Sequence, residues 1–218
     1  MSDYSCGGRA LIEARVTIPE QGAIRAEVEV DGETAITGEV DLVLTGGVAY
    51  RCTVMAGGVS DTRVLAVLTS GKGTLGDAVP GQHFYQSAPR TIIQSGLNGE
   101  LLNPVMPPIA DQPIARWMRI EQPGDAALAQ LAAYLGLGWW FDPDGQIRLG
   151  QIEYPEVTLS GLDVLPLDQP QRKRFDFGND ETLMQPRTSV VTAYGTYRIT
   201  EVRYWLSQGR WRGTAYYV

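Results

Sequence analysis

The chain has 218 residues, 44% of them hydrophobic, and a net charge of −7 from 18 basic and 25 acidic side chains. That length holds one large or two small domains, the composition is that of a packed core, and the acidic balance opposes general affinity for nucleic acid. Two cysteines, Cys6 and Cys52, and one histidine, His83, supply neither a disulfide framework nor a four-ligand zinc site. No run approaches the roughly 20 apolar residues of a membrane-spanning helix. Residues 1–9 lack the basic and apolar regions of a signal peptide, so synthesis inside a cell with both thiols reduced is expected.

From residue 10 to 68 the chain alternates apolar and polar positions in five short runs: 10–18, 23–30, 36–44, 49–55 and 62–68. The breaks between them are turn chemistry: Pro19-Glu20-Gln21-Gly22, Asp31-Gly32, Gly46-Gly47 and Gly57-Gly58. Asp31-Gly32 is the strongest hairpin signal of the set. Closely spaced strands with tight turns predict an antiparallel sandwich or small barrel, because parallel pairs need crossovers of a dozen or more residues. Cys6 precedes these strands in a Gly-rich start expected to be loose.

Residues 70–113 are rich in Gly, Pro and polar side chains, with one short helix expected over 88–95, Ser87 as its N-cap and Pro89 in its first turn. Three prolines within residues 104–108 exclude helix and central strand and predict a linker or surface-hugging loop. Residues 114–150 form the most ordered pattern. Leu128, Leu131 and Leu135 recur at helical spacing among alanines, after Pro123-Gly124-Asp125 and before Gly136 and Gly138. This helix of about three turns lies between two Trp-bearing strands, and the second of these folds back through Asp142-Pro143-Asp144-Gly145 as a hairpin. A polar, proline-rich passage over 159–186 leads to strands at 188–194, 197–206 and 210–218, with Ser207-Gln208-Gly209 as the last hairpin loop. The expected fold is mainly β (α+β): antiparallel β-barrel or sandwich domains with a small helix-plus-hairpin subdomain. The expected divisions are an N-terminal barrel-like domain at 1–86, the small α+β subdomain at 87–158, and a C-terminal β segment at 159–218 completing a second barrel.

The apparent chemical motifs each have a structural explanation. Gly71-Lys72-Gly73-Thr74-Leu75-Gly76 has the letters of a dinucleotide fingerprint, but Pro80 and Gly81 follow where a helix should open, so a glycine-rich interstrand loop is expected. His83 lacks a nucleophile elbow to serve and reads as a hydrogen-bonded structural histidine beside aromatics. Asp142 and Asp144 are turn residues, too few for a calcium loop. Phe175-Asp176-Phe177-Gly178 has the letters DFG without a kinase's other loops. The acidic stretch from Asp176 to Glu181 leaves an ion site open, although the adjacent Arg172-Lys173-Arg174 pairs with it more readily than with nucleic acid. No catalytic, cofactor-binding or metal-binding residue is assigned. The aromatic residues of the later strands are core, cross-strand pairs or interface, and Trp139, Trp140, Trp205, Trp211, Tyr216 and Tyr217 are the candidate interface residues.

The order of these pieces resembles the baseplate or tail-tip hub proteins of tailed bacteriophages, the late control D and Mu-type hub group. The resemblance is carried by Phe84-Tyr85-Gln86-Ser87-Ala88-Pro89-Arg90, Ala115-Arg116-Trp117-Met118-Arg119, Gly124-Asp125-Ala126-Ala127-Leu128 through Leu131-Ala132 to Leu135-Gly136, the Trp139 strand, Asp144 to Gly150, Ile199-Thr200-Glu201-Val202-Arg203 and Trp211-Arg212. It implies a structural virion protein assembled in the host cytoplasm: a homotrimer whose barrel domains make a pseudo-hexameric ring joining the tail tube or distal tail protein to the spike or fibre apparatus, with the tape-measure protein as neighbour. It implies no enzyme, cofactor, sequence-specific nucleic acid or membrane insertion. At 218 residues the sequence is shorter than larger hubs, so their extra C-terminal domains, a fused lysozyme and a fused peptidase are not expected. The alternatives are a carbohydrate- or receptor-binding β module using Trp139, Trp140 and Trp205 as sugar platforms, and a tail-associated cell-wall hydrolase, which needs an acid and base carboxylate pair.

Overall fold

The computed structural model describes residues 4–158, 163–165, 173–178, 184–192 and 195–218, with backbone alone at 45, 158, 163–165 and 192. In chain order the first strands are β1 (Ser5–Cys6), β2 (Arg9–Pro19), β3 (Arg25–Asp31), β4 (Glu39–Val43), β5 (Ala49–Ser60) and β6 (Arg63–Ser70). They are followed by β7 (Ala78–Val79), β8 (Gln82–Ser87), helix α1 (Pro89–Gln94), β9 (Ile114–Arg119), β10 (Gln122–Pro123), helix α2 (Gly124–Tyr134), β11 (Gly138–Phe141) and β12 (Ile147–Gly150). The last strands are β13 (Glu156–Thr158), β14 (Asp163–Leu165), β15 (Arg174–Gly178), β16 (Ser189–Thr192), β17 (Gly195–Ser207) and β18 (Arg210–Tyr217). The fold is mainly β, with a small helical part. None of the described helices is long and apolar enough to cross a membrane. The chain divides into two units, one of Met1–Ser70 with Glu153–Val218 and one of Gly71–Ile152.

In the first unit, six strands run in the order β1-β4-β5-β6-β3-β2, and β1 pairs with both β4 and β2, which closes an antiparallel barrel. Alternation fills its interior: Val16, Ile18, Val28, Val30, Leu42 and Leu68 are buried while their sequence neighbours face out. Cys6 is fully buried in β1 rather than lying in a loose start, because that two-residue strand is the seam of the barrel. Two turn expectations also change. Asp31-Gly32 ends β3 without folding back to the next strand: β3 pairs with β6, and the chain crosses to β4 first. Gly57-Gly58 lies within β5, which continues to Ser60 and turns at Asp61-Thr62. A Cβ on Gly57 would come 2.8 Å from the Leu65 carbonyl oxygen, so this glycine permits close strand approach beside a bulge at Val54/Ala56 rather than a reversal.

β17 pairs with β2 beyond the point where β1 leaves it, and β17-β18-β15-β14 continues the sheet, with β16 and β13 branching from the start of β17. The β17–β18 hairpin turns at Gln208 and Gly209, both at positive φ, as the sequence predicts. Phe175, Phe177, Tyr204 and Trp211 fill the core here, with Trp211 edge-on to Tyr4 at 5.4 Å and to Tyr204 at 5.9 Å. The Tyr204 hydroxyl donates to the Met184 carbonyl at 2.7 Å and the Tyr50 hydroxyl to Gln185 Oε1 at 2.8 Å.

In the second unit, α2 buries Leu128, Leu131 and Ala132, and Gly136 at positive φ stops it, its N–H donating to Ala133 while that of Leu137 donates to Ala132. The hairpin β11–β12 forms as the sequence predicts. α1 departs in detail: Ala88 rather than Ser87 is its N-cap, because the Ser87 hydroxyl donates instead to the Tyr85 carbonyl at 3.0 Å.

Burial pushes the Cys6 thiol up to about 11, the Cys52 thiol to about 12 and the Tyr50 phenol to about 12. Below the ordinary thiol value of about 8.5 these groups are protonated in folded and unfolded chains alike. Above it the unfolded chain loses protons that the native state retains, so stability falls as pH rises toward the folded values. The urea midpoint is expected to drop between pH 8 and 10.5, and less so in Cys52→Ala once its lower baseline is subtracted; a flat profile would mean these groups reach solvent. Trp211→Ala, which empties a site that is 3% exposed, should lower unfolding free energy by about 3–5 kcal/mol in the same assay.

Candidate interaction surface

The loop from Gly71 to Gly76 is an anion cradle that already holds an anion. The backbone N–H groups of Lys72 and Thr74 donate to the Glu100 carboxylate at 2.8 and 2.9 Å, and the Thr74 hydroxyl joins them at 3.1 Å. A Cβ on Gly71 would strike both that carboxylate and the Phe141 ring. The carbonyls of Leu75 and Asp77 accept from Asp125 and Gly124, two of the otherwise unpaired N–H groups opening α2. The loop is a structural junction, and no helix follows it to receive a phosphate.

The other motif residues are also engaged or out of place for chemistry. Asp142 is buried and accepts from Asn103 Nδ2 at 3.1 Å, Gln146 N at 2.9 Å and Arg148 Nε at 3.0 Å, which pins both the hairpin turn and the proline-rich loop. His83 is exposed on β8 rather than packed among aromatics. The letters DFG form part of β15: Phe175 and Phe177 enter the core, Asp176 accepts from the Thr214 hydroxyl at 2.6 Å, and Phe177 packs where Gly213 has no side chain. Asn179, Asp180, Glu181 and Arg172 lie outside the described residues, and with them the ion site left open and the expected charge pairing. Among the described residues no group of three or more His, Cys, Asp or Glu could hold a metal.

Of the six candidate interface aromatics, Trp139 and Trp211 are buried in their own units, while Trp140, Tyr216 and Tyr217 are half-buried. Trp205 is 53% exposed. It stands in a row of outward-facing side chains that crosses strand after strand, set by register: Val67 opposite Glu27, Glu27 opposite Arg15, Arg15 opposite Trp205, Trp205 opposite Arg212. The adjacent row runs Arg25, Thr17, Arg203, Thr214 and Asp176. The Arg15 guanidinium lies 5.5 Å from the Trp205 ring centre and that of Arg203 lies 4.8 Å from Tyr216. Together these residues line a concave depression of about 1300 Å³ on the outer face of the sheet. Sequence reading finds Trp205 but misses Arg15, because the β2–β17 register joins positions nearly two hundred residues apart.

No protein-family model matches the chain, and no curated protein resembles it in sequence. Solved structures do resemble it. A tail protein from Neisseria meningitidis MC58 superposes with a TM-score of 0.68 at 12% identity, over 99% of this chain and 96% of that one. The 43 kDa tail protein of prophage MuSo2 from Shewanella oneidensis gives 0.65 at 10% identity, over 99% and 96%. The fold is that of phage tail proteins. It extends to the E. coli c3393 protein, a type VI secretion component described as similar to the T4 tail proteins gp27 and gp5, at a TM-score of 0.69 and 12% identity over 99% and 76%. The tail-protein fold therefore takes in both units of this chain, at identities that establish architecture alone.

Glu100→Ala should lower the stability of the tail-protein fold by about 2–4 kcal/mol, since it strips a buried carboxylate from three donors. Glu100→Gln should recover part of that loss. Thermal unfolding with near-UV spectra checks this; an unchanged alanine variant would show the loop is held by other means.

Proposed function

We propose that this chain is a structural component of a phage tail, and that it forms a hub ring at the baseplate or tail tip joining the tail tube to the spike or fibre apparatus. The observation that carries the reading is the extent of the likeness: 99% of the chain superposes on 96% of two tail proteins, so the shared architecture is the whole chain. The physical character of the molecule supports it. The glycine-rich loop with Glu100, and Asp142, are tied up in structural hydrogen bonds, and an arginine-aromatic face, the composition of protein interfaces, lies open on the sheet. The chain acts by shape and contact, as a homotrimer in the virion tail, with tail-tube, spike and tape-measure proteins as neighbours. Its net charge of −7 is compatible with a ring through which DNA passes without being held.

Light scattering across a concentration series tests this. The expected mass is three times the 23.8 kDa of one chain, alone or once the tail-tube protein is added. A persistent monomer under both conditions would overturn the ring, and glycan-array retention of that monomer would favour a carbohydrate-binding module built on Trp205.

A further inference from the structure

The concave face described above reverses the charge balance of the rest of the molecule. Its lining has four arginines, Arg15, Arg25, Arg203 and Arg212, against the two carboxylates of Glu27 and Asp176, whereas the whole chain has 18 basic and 25 acidic residues. The face merges along β3 and β6 with a second depression of about 540 Å³ that shares Arg15, Glu27, Val67 and Trp205 and adds apolar Ala56, Gly57 and Leu65 beside Glu13 and Glu29. Leu65 and Val67 are both exposed there. An anionic sugar or nucleic-acid backbone would meet the arginines but also Glu13 and Glu29, and would leave Leu65 and Val67 uncovered, whereas a protein surface can cover both the charged and the apolar parts.

The complementary surface is on the molecule itself. In the closed barrel β4 is three strands away from β3 in either direction, so it forms the opposite wall. That wall carries exposed Glu39 and Asp41, with Arg51 bridging them at 3.8 and 3.0 Å. We propose that the concave arginine-Trp205 face seats the acidic β4 wall of a second copy of this chain. The two faces point away from one another, so each copy offers one and fills the other. Such a head-to-tail contact repeats around a ring. A two-fold pairing of concave face on concave face would oppose arginine to arginine and is disfavoured. The inference rests on the homo-oligomeric reading above and names the surfaces that make it.

The test is charge reversal in the full chain, read by light scattering and sedimentation over a concentration series, with circular dichroism as the check of folding. Arg203→Glu with Arg212→Glu should raise the concentration for half-assembly by about tenfold or more, and so should Glu39→Arg with Asp41→Arg. The chain carrying all four substitutions should assemble within about threefold of the wild type, because each reversed face again meets its opposite. Since Arg203 also pairs with Glu201 within its own chain, Arg25→Gln with Arg212→Gln gives the same direction without disturbing that pair. Unchanged assembly of the reversed-face variants, or failure of the fourfold variant to recover, overturns this contact while an oligomeric wild type keeps the ring. A wild type that is monomeric overturns both. A monomer retained on heparin through Arg203 and Arg212 overturns the contact in favour of a polyanionic occupant.

Discussion

Strand β2 is eleven residues long and gives one of its edges to two different neighbours, and the first unit depends on that division. Its opening residues pair with β1, whose two residues complete the barrel, and its later residues, from Ala14 to Pro19, pair with β17. A shorter β2 would still permit a barrel or a C-terminal sheet, but not one sheet running through both. The bulge in its β3 pairing, between Leu11 and Glu13, adds local twist where the edge changes partner. The inner residues of both parts then form one apolar cluster, from Cys6 and Val16 to Tyr204 and Ala215, so the N-terminal and C-terminal segments share a core although 82 residues of the second unit separate them in the chain.

The second unit is held differently. With few long strands, it satisfies its polar groups through three buried or half-buried side chains that each gather several partners: Glu100 in the glycine loop, Asp142 at the hairpin turn, and Arg119. The Arg119 guanidinium donates to the Pro80 carbonyl at 3.1 Å, Ser95 Oγ at 3.0 Å and Gln82 Oε1 at 3.3 Å, and lies 5.4 Å from the Phe84 ring centre. Among the described residues no carboxylate pairs with it, and burial lowers its pKa. Removing any one of these three would leave several buried groups unpaired, which costs more than an average hydrogen bond contributes.

Local physics was readable from the sequence. The helix over Gly124–Tyr134, the β11–β12 and β17–β18 hairpins and the period-two strands of the barrel each follow from side-chain spacing and turn residues within a short window. The errors share one cause. Asp31-Gly32 and Gly57-Gly58 have turn composition, yet their roles are set by strand pairing rather than by composition: β6, some thirty residues on, in one case, and the Leu65 carbonyl across the β5–β6 hairpin in the other. Cys6 looks loose by its glycine neighbours and is fixed by a barrel seam that only tertiary closure creates. The interaction face was half legible for a related reason: Trp205 and, across its local hairpin, Arg212 are within reach of sequence, whereas Arg15 joins them only through the β2–β17 register.

Where the side chains find their partners also bears on what the molecule can do. Glu100 and Asp142 have the identities that chemistry would need, and both are already saturated by hydrogen bonds inside their own unit. A ligand would have to compete with contacts that hold the fold. The arginines of the outer sheet differ in this respect, because a guanidinium has five donors and Arg203 spends its Nε on Glu201 and its face on Tyr216, with terminal nitrogens left over for a neighbour. Stacking restricts each head group before any partner arrives, so less rotamer entropy remains to be lost on contact. The same aromatic rings that look like leftover core residues in the sequence thus serve to preorganise charge on the surface.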